Sequence, residues 1–255
     1  MKTKEIKILG NECGECGGNY DVVADEPLML YQLCGVGDHT TTIRLGEGAK
    51  AKVVFAALDG GDTSYTYRVE LNGRGAEVEL YGLFVAGTGD RCRIKTEVRH
   101  NVPDCVSNQV VKGIADGEGY GLFDGLVYVA PDAQHTEAYQ QSRNVLLSKT
   151  ARIQTQPQLE IYADDVKCSH GATVGQMEQE QIYYMRQRGL SEADARKLQL
   201  EGFMRDILDR IDNEEVRREF ELRQMRVSES RGCLHTMPSE SILEQAKLGQ
   251  LRIKN

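Results

Sequence analysis

No stretch of this 255-residue chain approaches the roughly 18 consecutive apolar residues that a membrane-spanning helix needs. The start, Met1-Lys2-Thr3-Lys4-Glu5-Ile6, lacks the apolar middle of a secretory signal, so a cytoplasmic protein is expected. Basic residues are outnumbered, 31 against 39, for a net charge of −8. That balance argues against nonspecific nucleic-acid binding, because phosphate contacts need clustered Lys and Arg. Cysteine is present in an odd number, seven, mostly scattered singly at 34, 92, 105, 168 and 233. Without an export signal these read as free thiols in a reducing compartment.

Catalytic signatures are missing as well. None of the five histidines belongs to an H-E-x-x-H pair, and no serine sits in a G-x-S-x-G turn. The segments Gly87-Thr88-Gly89 and Gly117-Glu118-Gly119 are not followed by Lys-Ser or Lys-Thr and a helix. A phosphate-binding loop needs those parts, so no nucleotide is expected on this chain, which is not itself an ATPase.

What is present divides in two. Of 26 glycines, 22 lie at or before Gly175, and no proline occurs between Pro157 and Pro238. Before that boundary apolar residues alternate: Tyr65, Tyr67, Val69 and Leu71 share one face, then Ala76, Val78 and Leu80, then Cys92, Ile94, Thr96 and Val98. Period two marks half-buried strands. Turn formers such as Gly60-Gly61-Asp62, Asn72-Gly73 and Pro103-Asp104 recur about every 14 residues, one strand plus one turn. Two such intervals make one coil of a β-solenoid or one hairpin of a sandwich. Gln140, Gln141, Asn144, Gln154, Gln156 and Gln158 occupy successive strands. They either stack as amide ladders between coils or face water.

After Gly175 the pattern turns helical. Ile182 and Met185 precede Gly189, a residue that can end a helix, and Ser191 stands as an N-cap before Glu192 and Asp194. Ala195, Leu198, Phe203, Ile207 and Ile211 trace an apolar stripe that packs on the chain's own strands or on a partner, and a third helix is expected from Asp212 through Val216 and Phe220.

Two clusters carry metal-binding chemistry. Cys13-Gly14-Glu15-Cys16 can chelate one metal or form a redox disulfide, with Cys34 and His39 as further ligands to consider. In Asp164-Asp165-Val166-Lys167-Cys168-Ser169-His170-Gly171, Cys168 and His170 lie two residues apart and share one face of a strand, where both could hold one soft or borderline metal.

The run Gln156-Pro157-Gln158-Leu159-Glu160-Ile161-Tyr162-Ala163-Asp164-Asp165-Val166-Lys167-Cys168-Ser169-His170-Gly171-Ala172-Thr173-Val174-Gly175, followed by Gln181-Ile182-Tyr183-Tyr184-Met185-Arg186-Gln187-Arg188-Gly189, resembles the hallmark of the SufB/SufD family, scaffold subunits of SUF iron–sulfur cluster assembly. Weaker similarity extends from about Leu28 to Arg223. The resemblance implies a mainly β protein: a right-handed parallel β-helix core with C-terminal helices that dock a SufC-like ABC ATPase. It implies pairing through the β-helix with a SufB-like paralogue or a second copy, and a transient cluster at that subunit interface. Phe203 and Ile207 become candidates for ATPase docking, His170 the first candidate for the nascent-cluster site and Cys168 the second. Ser142 stands where B-type subunits carry a sulfur-accepting cysteine, and Gly171 where they tend to have Glu, so the D-type is indicated. Cys13, Cys16 or Cys105 would have to supply a thiol in a homodimer.

The expected organisation is a short N-terminal segment with the C-x-x-C pair (1–27), the β-helix core (28–176), the helical subdomain (177–226) and a tail (227–255). The expected function is a noncatalytic scaffold. The alternatives are a homodimeric SufB-like scaffold, a structural ATPase partner with no cluster ligand of its own, and a small metal or redox protein built on Cys13 and Cys16.

Overall fold

The computed structural model describes residues 3–9, 19–33 and 35–231. Their strands, in chain order, begin with β1 (Lys4–Leu9), β2 (Asn19–Ala24), β3 (Leu28–Leu33), β4 (Gly37–Leu45) and β5 (Lys50–Ala57). They continue with β6 (Asp62–Leu71), β7 (Glu77–Ala86), β8 (Arg91–His100) and β9 (Val106–Ala115). The series ends with β10 (Tyr120–Val129), β11 (Glu137–Leu146), β12 (Arg152–Ile161) and β13 (Lys167–Gln176). Three helices follow: α1 (Gln179–Gln187), α2 (Glu192–Leu208) and α3 (Glu214–Arg231).

Odd strands form one parallel sheet in the order β1-β3-β5-β7-β9-β11-β13, and even strands a second, β12-β10-β8-β6-β4-β2. Each strand therefore pairs with the strand two before it and the strand two after it, which resolves the solenoid-or-sandwich alternative in favour of a β-solenoid. The ladder begins at Lys4, paired with Leu28, ahead of the expected start of the core at residue 28. Ile6 and Ile8 account for this, because both pack against the main core. At the other end α3 runs to Arg231, past residue 226. The Cys13/Cys16 segment, Cys34 and the residues after Arg231 lie outside the described residues.

The faces are those that the alternation predicts. Tyr65, Tyr67, Val69 and Leu71 all point into the solenoid with Val53, Phe55, Leu80 and Phe84. Coils interdigitate large against small. Phe55 stands in register with Gly82, and a Cβ at Gly82 would lie 2.2 Å from the Phe55 ring. Phe84 covers Gly113 in the same way on the next coil. At one corner Gly75, Asp104 and His135 take positive φ on successive coils. The two non-glycine residues are clamped by polar contacts there. Arg74 reaches Asp104 at 2.6 Å, and His135 sits 3.1 Å from Asp104 and 3.2 Å from Asp165.

The helices fold back over the outer face of the odd-strand sheet. Ile182, Ala195, Met204, Ile207, Val216 and Phe220 bury against Tyr31, Val54, Ala56, Tyr81, Leu83 and Ile114. Gly189, at φ +92, closes the turn after α1, and the Ser191 hydroxyl accepts the Asp194 backbone N–H at 3.1 Å, so both sequence signals act as expected. α3 starts at Glu214 rather than Asp212 because Asn213 is its cap, accepting the Val216 N–H at 3.1 Å. Polar ties fix the seating. Lys112 donates to the Phe203 carbonyl at 2.9 Å, pairs with Asp206 at 2.7 Å and stands over the Phe203 ring. That pairing holds the Asp206 carboxyl below the usual carboxylate range. No described helix is long and apolar enough to cross a membrane.

Candidate functional site

The solenoid ends in two strands with one neighbour each. β13 pairs only with β11, and β12 only with β10. Among the described residues nothing pairs with their outer edges, so each of these ten-residue strands presents unpaired backbone N–H and C=O groups. His170 lies on β13, and among the described residues no strand stacks on the side of β13 away from β11. The inward-facing row of β13, which on earlier coils is sealed, is therefore open, and the His170 side chain is exposed. Among the described residues it has no hydrogen-bond or ion-pair partner.

An open cleft of about 630 Å³ borders this imidazole, lined by Gln140, Ser142, Arg143, His170 and Thr173 among others. The inner row of β11 forms its floor. Gln140 is the register partner of His170, and Ser142 the partner of Ala172. Ser142 is buried and accepts a hydrogen bond from the Asn144 amide at 2.9 Å. The amide-ladder expectation divides by face. Gln140 and Asn144 point inward, whereas Gln154, Gln156 and Gln158 point outward from β12. Of those, Gln154 meets Tyr120 and Gln158 meets Asp124 on the coil below, so neither forms an amide ladder.

Cys168 shares the face of His170 but not its surroundings. It is half-buried against Val127, Val129, Ala133 and Ala138, and burial pushes its thiol up. A sulfur ligand binds as the thiolate, so this setting disfavours Cys168 as a donor. Cys105 is buried at a corner, with Sγ 3.3 Å from the Gly73 carbonyl, and its thiol is likewise raised by burial. Cys92 is more extreme, pushed up to about 12 by full burial. His39 is a buried residue 3.0 Å from the Gly35 carbonyl and packed on the Tyr65 ring. No group of three His, Cys, Asp or Glu side chains converges as a metal cage among the described residues. A metal at His170 would draw its remaining ligands from elsewhere.

Phe203 and Ile207 face the sheet: Ile207 is 1% exposed, and Phe203 packs beneath Lys112. The most exposed apolar side chains of the helices lie on α1 instead, where Tyr183 and Tyr184 are 64% and 56% exposed, Tyr184 stacked under Arg188. The spacing carried that signal. Ile182 and Met185 claim the inner face of α1, and the two tyrosines between them are turned away from it.

The SUF system FeS cluster assembly, SufBD core domain matches residues 37–203. The iron–sulfur cluster assembly protein SufD of Escherichia coli (strain K12) is 35% identical over 175 residues, 69% of this chain and 41% of that protein. A SufBD family protein of Synechocystis sp. (strain PCC 6803) is 35% identical over 172 residues, 68% of this chain and 38% of the relative. One from Mycobacterium tuberculosis (strain H37Rv) is 31% identical over 219 residues, 80% of this chain and 55% of the relative. The chain thus spans between about two-fifths and just over half of these relatives. Solenoid, matched core and shared identity agree that the chain belongs to the SufB/SufD family of iron–sulfur cluster assembly proteins, on the SufD side of it.

Proposed function

We propose that this chain is a noncatalytic scaffold on which a nascent iron–sulfur cluster forms at a seam between two solenoid ends, with His170 as the ligand this chain contributes. The observation that carries the reading is the position of His170: an exposed, unbonded imidazole on a strand whose outer edge is open. An open edge pairs readily with another strand, which places the end of a second solenoid against the same surface. Tyr162 and Val174 add exposed apolar area there. That second chain is a SufB-like paralogue or another copy of this one, and it supplies the thiolates. Imidazole is a suitable companion, a borderline donor that holds iron less tightly than a full set of cysteines. A SufC-like ABC ATPase docks on the outward side of the helices around Tyr183 and Tyr184. Phe203 and Ile207 serve that docking by seating the helices. The assembly works in the cytosol, with nucleotide on the ATPase and none on this chain.

The test is His170→Ala in the reconstituted complex with its paired subunit and ATPase. Iron and acid-labile sulfide should fall several-fold, while the mass of the assembly and ATPase copurification stay as in the wild type. Equal iron and sulfide would overturn the cluster role and leave a structural ATPase partner.

A further inference from the structure

We propose that Gln140 is a positioning residue for His170: its amide oxygen accepts the imidazole N–H and thereby fixes which ring nitrogen is left free for a metal. The proposal rests on His170 as ligand only for its consequence, since the contact itself can be tested without any cluster. The argument starts from an unsatisfied group. Gln140 is 1% exposed, and neither Oε1 nor Nε2 has a hydrogen-bond partner among the described residues. Leaving a buried amide unbonded costs about 1–3 kcal/mol, so a partner within reach is to be expected.

The neighbours of Gln140 narrow the choice. Gly125 makes the space in which the amide lies, since a Cβ there would stand 2.5 Å from Nε2. Gly125 is in register with Pro157 on the next coil, and neither offers a polar side chain. Below Gln140 stands Gln109, also buried with both amide atoms unbonded; above it stands His170. The column Gln109–Gln140–His170 thus has one polar end, and that end is the imidazole. Gln109 makes no bond to Gln140, so of the two polar register partners the imidazole is the one whose N–H is left for Oε1 to accept. The terminal torsions of both side chains are soft, so alignment asks for rotation and no backbone change. An imidazole that donates one N–H to a fixed acceptor is held in one tautomer, and losing such a partner typically costs about 10–100-fold in metal affinity.

The experiment uses the full chain with ¹⁵N-labelled histidine at about pH 8, where an ordinary imidazole is neutral. In the wild type, His170 should show one dominant tautomer. Gln140→Met, apolar and similar in shape, should mix the two tautomers and weaken Zn²⁺ binding, followed at the His170 resonances, by about 10–100-fold. Gln140→Glu keeps the acceptor and should keep both the tautomer and the affinity. Unchanged tautomer populations and Zn²⁺ affinity in Gln140→Met would overturn the proposal. If that variant mixes the tautomers while His170→Ala leaves iron and sulfide intact, the positioning contact stands and the scaffold-ligand reading falls.

Discussion

Three buried glutamines, one in the early coils and two in the late ones, behave in opposite ways. Gln32, on β3, has its side-chain oxygen bonded by the Thr41 hydroxyl at 2.9 Å and the Tyr67 hydroxyl at 2.7 Å. Gln109 and Gln140, on β9 and β11, are equally buried and bond to nothing among the described residues. The same contrast runs up each column. One column reads Val53, Leu80, Gln109, Gln140, His170, and the facing one Tyr67, Thr96, Gly125, Pro157. Early coils carry aromatic rings and a bonded amide; late coils carry unbonded amides and an open imidazole. The contrast predicts that stability is concentrated at one end of the solenoid and chemistry at the other. In a stacked structure where each coil contacts only its neighbours, such a division is possible.

The sharpest way to break this comparison is to damage the aromatic stack. Phe84 fills the space over Gly113, and its ring also bounds Gly121, so two positions that face the ring have no side chain to fill the hole it would leave. Phe84→Ala should cost about 3–5 kcal/mol in urea unfolding. A loss below about 1 kcal/mol would mean that the aromatic stack does not hold the solenoid.

A smaller effect, set by pH, comes from the middle. His100 ends β8 in a column between Leu71 and Val129, fully buried, with Nε2 2.8 Å from the Ser107 hydroxyl. Burial lowers it from 6.5 to about 4. The unfolded chain therefore binds a proton over a range in which the folded one does not. The stabilisation due to the neutral ring is complete above about 6.5 and is lost as pH falls toward about 4, to the extent of about 3 kcal/mol. His100→Leu should remove that portion of the slope. Parallel stability curves for variant and wild type across this window would contradict the burial account.

Much of this was legible in the residues, and the limits have physical causes. Alternation marks the inward face of β6 and β8 because the opposite face of each is not covered, and the Gly189 and Ser191 signals mark their helix ends because both act locally. Two turns per coil could not separate solenoid from sandwich, since that choice lies in which strands pair. The apolar stripe of α2 showed a face to be covered but not by what. Ile207 and Phe203 lie on the sheet, whereas Tyr183 and Tyr184 are exposed on α1, between the inward Ile182 and Met185. His170 was visible as a residue, whereas its setting at an open end depends on β13 being the last strand of its sheet.

The finest probe of the contrast is Gln109→Met, where the expected change is small and its sign carries the information. Removing a bonded amide from a core costs about 1–3 kcal/mol, and at Gln32 the bonds from two hydroxyls would be lost at once. At Gln109 no such bond is lost. Methionine matches its length, replaces two unbonded polar atoms with apolar ones, and sits in register with Leu80 below. The substitution should change urea stability by less than about 1 kcal/mol, toward greater stability, whereas Gln32→Met should destabilise by more than that. Should Gln109→Met cost as much as Gln32→Met, the late amides are bonded as firmly as the early one. The late coils would then be as tightly built as the coils beneath them, and the separation of a stabilising end from a chemical end would fail.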